Sequence, residues 1–206
     1  FYDGLTERDF EYKRDVKTTD TAVYGELTYN FTDSLRVTGG ARWFDVESKN
    51  DTIMGFPLVV GWTSSKVPSS DGSDDDILGK INVSYDIGEH NMIYSTWSQG
   101  YRRGGYNAVP SLENGDNFGE PNAEAIRSYG SDKANNYEIG VKGRNDSMAY
   151  TVSLFYVDWN DPQLNSTSDW YGFYIAQNGD KASSTGVELE VNGYITDALR
   201  YHLGYT

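Results

Sequence analysis

The sequence predicts an all-β protein, a transmembrane antiparallel up-and-down β-barrel, on three observations. Apolar and polar residues alternate with period two in segment after segment. Short turns take turns with long loops rich in Gly, Ser, Asp and Asn, which puts successive loops at opposite ends of a meander. Aromatic residues gather at strand ends in two bands. Composition fits: only 37% of the 206 residues are apolar, whereas Tyr numbers 17 and Gly 22, poor material for a large soluble core.

Residues 1–20 are too mixed to assign. In "VYGELTYNF", Val23, Gly25, Leu27, Tyr29 and Phe31 share a face opposite Tyr24, Glu26, Thr28 and Asn30. After the turn Thr32-Asp33-Ser34, Leu35, Val37, Gly39, Ala41 and Trp43 oppose Arg36, Thr38, Gly40 and Arg42. Residues 47–76 read as a long loop. Ile77, Gly79, Ile81, Val83 and Tyr85 then oppose Lys80, Asn82, Ser84 and Asp86. A strand over 92–101 has two possible facings, with Met92/Tyr94 or Ile93/Trp97 on the apolar side. Beyond the loop 102–133, Tyr137, Ile139 and Val141 oppose Glu138, Lys142 and Arg144. Met148, Tyr150, Val152, Leu154 and Tyr156 oppose Thr151 and Ser153. The loop 159–182 leads to Val187, Leu189 and Val191 against Glu188, Glu190 and Asn192, and finally to Leu199, Tyr201, Leu203 and Tyr205 against Arg200, His202 and Thr206.

A soluble sandwich alternates in the same way, its apolar faces packed on a second sheet. Three features favour the barrel. The polar faces carry Glu, Lys, Arg and Asn almost without a break, as a wet lumen requires. Tyr29, Phe31, Tyr85 and Tyr194 lie by the short turns and Trp43, Tyr137, Tyr156 and Trp159 by the long loops, which makes two girdles. Strands of this length suit a bilayer, with the long loops outside the cell. A one-residue slip would turn Lys80 or Lys142 toward lipid at a cost of roughly 2–4 kcal/mol near the midplane.

Several function classes lose support. Without Cys there is no disulfide framework or thiolate zinc site, and two His leave little for triads or metals. A formal charge of −14 disfavours nucleic acid. No apolar run of about 18 residues marks a membrane helix.

Four stretches, "AVYGELTYNFTDSLRVTGGARWFDVE" (22–47), "YSTWSQGYRRGGYN" (94–107), "NNYEIGVKGRNDSMAYTVSLFYVDWNDPQ" (135–163) and "NGDKASSTGVELEV" (178–191), together resemble the second half of the barrel of TonB-dependent outer-membrane receptors. The resemblance implies a fragment of a 22-stranded barrel in the bacterial outer membrane, its lumen filled by an N-terminal plug. It implies import of a scarce ligand such as a ferric siderophore, energised through the TonB complex, with outer-membrane lipid and lipopolysaccharide around the wall. The plug and the TonB-contacting segment have no counterpart in these residues, so the chain is expected to be one partial barrel domain over 1–206, continuing beyond both ends. The other readings are a small complete barrel acting as pore or enzyme, and a soluble carbohydrate-binding sandwich.

In that setting "YSTWSQGYRRGGYN" is a strand that climbs to the outer rim and enters an extracellular loop. Arg102 and Arg103 suit an anionic ligand, Tyr101 and Tyr106 suit its rings, and Gly104-Gly105 let the backbone move. The same Arg suit lipopolysaccharide phosphates or loop carboxylates. "DWYGFY" (169–174) places Trp170, Tyr171, Phe173 and Tyr174 in a loop, for ligand stacking or for a cluster that stabilises the rim. "SSDGSDDD" (69–76) offers oxygen ligands for Ca²⁺ without EF-hand spacing, so a solvated acidic loop is the expectation and no metal or cofactor is assigned. Glu188 and Glu190 have a spacing that a glycosidase pair tolerates, but Lys142, Arg144 and Arg200 nearby offer lumenal ion pairs. His90 lies at the short-turn end and His202 has no nucleophile beside it, so no catalytic residue is assigned.

Overall fold

A computed structural model describes residues 11–56, 62–109, 122–169, 172 and 174–206. The strands are β1 (Glu11–Asn30), β2 (Leu35–Phe56), β3 (Trp62–Ile87), β4 (Asn91–Arg102), β5 (Gly105–Tyr106), β6 (Ser128–Tyr129), β7 (Asp132–Arg144), β8 (Met148–Asn160), β9 (Gln163–Thr167), β10 (Tyr174–Asn178), β11 (Lys181–Thr196) and β12 (Leu199–Tyr205), with one helical turn α1 (Ala123–Ile126). Eight of them form one antiparallel sheet in the order β1-β2-β3-β4-β7-β8-β11-β12. Within this sheet each strand pairs with the next of the eight along the chain, an up-and-down pattern. The sheet is not closed within this chain; β1 and β12 are its edges.

The four short turns all lie at one end. At the first, the Thr32 hydroxyl accepts from the Leu35 amide at 2.9 Å. At the third, the Asn145 side chain accepts from the Ser147 and Met148 amides. Gly88 in the second takes φ +67°, a conformation that side chains with a Cβ resist.

One face of the sheet is apolar and bare. Cross-strand register joins Leu27, Gly39, Ile81, Trp97, Tyr137 and Tyr156 into a single row. Leu27 is 84% exposed, Ile77 62% and Leu203 62%. Among the described residues no second sheet covers them, so the sandwich arrangement is absent. Surface of this kind is stable against hydrocarbon and not against water. The same register decides the facing of β4: Ile93 stands on the apolar side between Tyr85 and Val141 and Trp97 between Ile81 and Tyr137, while Met92 and Tyr94 point the other way. Gly79 makes room for Trp97, whose ring would lie 3.0 Å from a Cβ there.

The opposite face is polar and laced together. Lys80 Nζ reaches Glu26 Oε2 at 3.0 Å across Gly40. Arg36 grips Asp86 with two nitrogens, at 2.5 and 2.9 Å. Asn82 donates to Thr96 at 2.7 Å. Tyr94 lies over Gly140, where a Cβ would meet its ring at 2.7 Å, and its hydroxyl bonds Glu138. Phe155 covers Gly186 in the same way, so large rings fill what the glycines leave open. Glu190 is held by Asn192 at 2.8 Å and has His202 3.9 Å away, with no Lys or Arg on it among the described residues; Lys142 and Arg200 lie instead over the rings of Tyr94 and Tyr194. This pairing of Tyr194 with Arg200 puts Tyr194 on the polar face and removes it from the girdle expected from the sequence.

The largest departure from expectation is the segment 47–76. Its described residues are strand: β2 runs on to Phe56 and β3 begins at Trp62, and β1 extends back to Glu11 through residues the sequence left unassigned. At about 3.3 Å per residue the 22 residues of β2 are roughly 70 Å long, far more than an apolar band of about 25 Å requires. Polarity inverts at Trp43. Below it apolar residues face outward. Above it Asp45, Glu47 and Lys49 take the outward positions, while Phe44, Val46, Asn50, Thr52 and Met54 are buried on the inner side. The period of two persists through the inversion, but no outward apolar stripe marks it.

Candidate functional site

The β3–β4 ladder begins at Ile87 opposite Asn91 and ends at Lys80 opposite Ser98, whereas β4 stays paired with β7 up to Arg102 opposite Asp132. The tall β1–β2–β3 wall and the upper ends of β4 and β7 therefore part above Ser98. Tyr101 spans the gap: its hydroxyl donates to Asp74 at 2.7 Å and its ring lies 4.3 Å from that of Phe44. Lys133 pairs with Asp76 beside it. Burial, and then the bond to Asp74, pushes the Tyr101 phenol far above its ordinary pKa, so it stays a donor. The hydrogen bond from Lys133 holds the Asp76 carboxyl below the usual carboxylate range.

Above this point the two remaining long connections are tied into one body. Arg102 is clamped on Asp132 (2.5 and 3.0 Å) and on the Gln163 carbonyl (3.0 Å), with Trp159 beneath its guanidinium at 5.2 Å. The Gln163 side-chain amide donates to the carbonyls of Arg103 and Gly130. Asn107 donates to Ile126 and Ala176 carbonyls and accepts from the Ala176 amide, all at 2.7–2.8 Å. Val109, Ala123 and Ile175 form a small apolar core, with Ile126 against it. Arg127 is buried there, with Nη1 on Glu124 and with Nε and Nη2 lacking hydrogen-bond partners among the described residues.

Between this body and the tall wall lies a cavity of about 270 Å³, lined on one side by Val46, Ser48 and Gly72 and on the other by Arg103, Tyr106 and Tyr129. Tyr106 closes one side because Gly72 leaves space: a Cβ there would collide with the Tyr106 hydroxyl. Burial raises the Tyr106 phenol pKa, and Asp71 adds to the rise. Arg14, fixed by Asn50 at 2.7 Å, donates to the Tyr106 carbonyl at 3.1 Å. Among the described residues Arg103 has no ion-pair partner. The space suits one ring or one carboxylate arm of a larger ligand, given that about 150 Å³ holds a benzene.

The structure thus separates the residues singled out from the sequence. Arg103 and Tyr106 line the cavity, Tyr101 braces its base, and Arg102 is bound within the loop body. Tyr174 stands on β10, 89% exposed and away from the cavity. Trp170, Tyr171 and Phe173 lie outside the described residues. The acids of "SSDGSDDD" fall on alternate sides of β3: Asp74 and Asp76 turn inward to Tyr101 and Lys133, while Asp71 faces Lys49 at 3.9 Å. Among the described residues no group of three or more metal-ligating side chains forms. Sequence reading missed Tyr129, Gly72 and the Asn107 and Gln163 ties. Only the Tyr and Gly content of these stretches hints at them, since each partner lies far away in the chain.

The profile of the family described as "TonB dependent receptor-like, beta-barrel" matches residues 1–206. Pesticin receptors of Yersinia enterocolitica (serotype O:8) and Yersinia pestis are 28% and 27% identical over 172 residues, 82% of this chain and 23% of each relative. The chain thus spans about a quarter of the length of these receptors. Among solved structures, the ferric yersiniabactin uptake receptor of Y. pestis aligns with a TM-score of 0.72 at 22% identity, covering 95% of this chain and 27% of that one. The ferric-catecholate import receptor of E. coli K12 aligns with a TM-score of 0.65 at 18% identity, covering 94% and 29%. Likeness at this identity is likeness of fold.

Proposed function

Given that the chain belongs to the TonB-dependent receptor β-barrel family, we propose that it forms part of the wall and outer rim of a bacterial outer-membrane receptor that imports a ferric siderophore. The apolar face contacts outer-membrane lipid, and the outward charges above Trp43 stand at the height of lipopolysaccharide. Transport is energised by the TonB complex through a part of the receptor outside this segment.

The observation that carries the reading is the meeting of two features on one sheet. A bare apolar face rises to Trp43, and above it, at the long-loop end, sits a cavity with the rings of Tyr106 and Tyr129 and with Arg103, which has no ion-pair partner among the described residues. A cation beside aromatic rings suits an anionic aryl chelate. The named cargoes of the similar structures, ferric yersiniabactin and ferric catecholates, support an iron chelate over a sugar or cobalamin.

The test is equilibrium binding of iron complexes of phenolate, catecholate and hydroxamate chelators to the full-length receptor in detergent. Arg103→Ala and Tyr106→Ala each weaken the bound chelate roughly tenfold, as an anchor at a desolvated contact does. Binding unchanged in both variants removes the cavity from the ligand path. Uptake that persists in cells without TonB removes the energised step.

A further inference from the structure

Three glycines border the cavity between the loop body and the tall wall, and they are there for different reasons. A Cβ at Gly104 would run into the Tyr129 carbonyl oxygen and one at Gly105 into the Tyr129 phenol, so both are required by packing within the loop body. Gly72 on β3 is different. The three atoms nearest to a Cβ there all belong to the Tyr106 side chain: the hydroxyl would overlap it, and Cζ would lie at 3.1 Å. What happens at position 72 is therefore passed to one ring of another segment.

The main chain of Tyr106 is held in place. Its carbonyl accepts from Arg14 at 3.1 Å, and Arg14 is itself fixed by Asn50 at 2.7 Å. The next amide, that of Asn107, donates to the Arg127 carbonyl at 2.6 Å, and Tyr106 pairs with Ser128 in the β5–β6 ladder. A side chain at position 72 thus displaces the ring and not the backbone, and the open space beside the ring is the cavity of about 270 Å³. One benzene occupies a cavity of about 150 Å³, so a phenol ring swung inward leaves too little room for a second ring. The wall behind is Val46, 4% exposed, and Arg103 stands on the opposite side.

We infer that Gly72 is a specificity-determining residue: by leaving a seat for the Tyr106 ring against the tall wall, it keeps the cavity open to one aryl arm of an iron chelate. The inference rests on the chelate reading proposed above. The arm lies against Val46 with its phenolate oxygen toward Arg103, a charge-assisted contact. A hydroxamate arm carries no ring and does not need that room. The seat at Gly72 therefore sets a preference among chelates and leaves the rest of the binding surface as it is.

The experiment is a double-mutant cycle on the full-length receptor in detergent. Wild type, Gly72→Ala, Tyr106→Phe and the double variant are each titrated with the iron complex of a phenolate chelator and with that of a hydroxamate chelator. Position 72 lies within β3, where Ala is accommodated at least as well as Gly, so Gly72→Ala folds, as thermal unfolding checks. Gly72→Ala lowers affinity for the phenolate complex roughly tenfold and for the hydroxamate complex less than about twofold; in the Tyr106→Phe background, without the hydroxyl that meets the Cβ, it lowers either by less than about twofold. Where the hydroxamate complex binds too weakly to titrate, the cycle with the phenolate complex decides alone. The role of Gly72 is overturned by an equal loss in both backgrounds, by an equal loss for both chelates, or by no loss. Arg103→Ala separates this failure from that of the chelate reading. If it weakens the phenolate complex while Gly72→Ala does not, the chelate reading stands and Gly72 drops out; if neither changes binding, both fall.

Discussion

Tyr101 donates its hydroxyl to Asp74 at 2.7 Å across the gap that opens where β3 and β4 stop pairing. The bond joins the loop body to the tall hairpin, and the partners lie 27 residues apart in sequence. Tyr101→Phe removes it and leaves a partly buried Asp74 short of a donor, a loss of about 1–2 kcal/mol. Amide exchange at Gly104–Tyr106 and at Gly72–Asp74 then accelerates roughly tenfold, while exchange at Tyr137–Val141 stays as it was. Equal protection in both proteins would mean that the bond carries no load.

The neighbouring Lys133–Asp76 pair gives the same joint a pH dependence. The folded Asp76 carboxyl titrates below its ordinary value, so its contribution is complete above that value and is lost as pH falls through the lowered one. Both groups are partly exposed, which limits the effect to under about 1 kcal/mol. Protection factors at the joint, corrected for the intrinsic pH dependence of exchange, therefore fall modestly on acidification through and below the usual carboxylate range, and Asp76→Asn abolishes most of that change. An identical acid response in the variant would assign it to other groups.

Adjacent positions on β3 test which face meets lipid. Ile81 points outward and Asn82 inward. In the full-length receptor refolded into vesicles, Ile81→Lys costs roughly 2–4 kcal/mol and Asn82→Lys under about 1 kcal/mol. Equal costs would contradict the assigned facing.

Gly140 is required by its neighbour. A methyl group there lies 2.7 Å from the Tyr94 ring and displaces the Tyr94 bond to Glu138. Gly140→Ala costs about 1–3 kcal/mol in denaturant unfolding, as overpacking does. Adding Tyr94→Ala to that background costs less than Tyr94→Ala alone, a coupling that additive losses would refute.

Asn107 ties three segments with its side chain. Asn107→Ala leaves the partly buried Ala176 amide and two carbonyls short of partners, at about 1–3 kcal/mol in sum. Protection of the Ala176 amide falls at least tenfold while that of Val152 and Leu154 persists; unchanged protection at Ala176 would disprove the tie.

Much of the sheet was legible because the signal is local. Alternation of Leu27, Tyr29 and Phe31 with Glu26, Thr28 and Asn30 is set by strand geometry, and each residue carries its own preference for lipid or water. It failed where the rule changes sign. Above Trp43 the outside is water and the inside is a packed joint, so Phe44 and Val46 point inward and Asp45 and Glu47 outward, and a strand reads as a loop. The facing of β4 was undecidable by itself because Met92, Ile93, Tyr94 and Trp97 put apolar side chains on both faces; pairing with Tyr85 and Val141 settles it.

By itself, then, the sequence determined the all-β class, the meander and the end at which the long loops gather, since these depend on neighbours along the chain. The tertiary structure alone decided that Arg102 is a tie to Asp132 while Arg103 faces a cavity, that Tyr106 rests on Gly72, and that Lys142 lies over the Tyr94 ring. Each is a property of strands brought side by side from distant positions. The free energy of a charge or a phenol is set by what surrounds it in space, and composition cannot specify those surroundings.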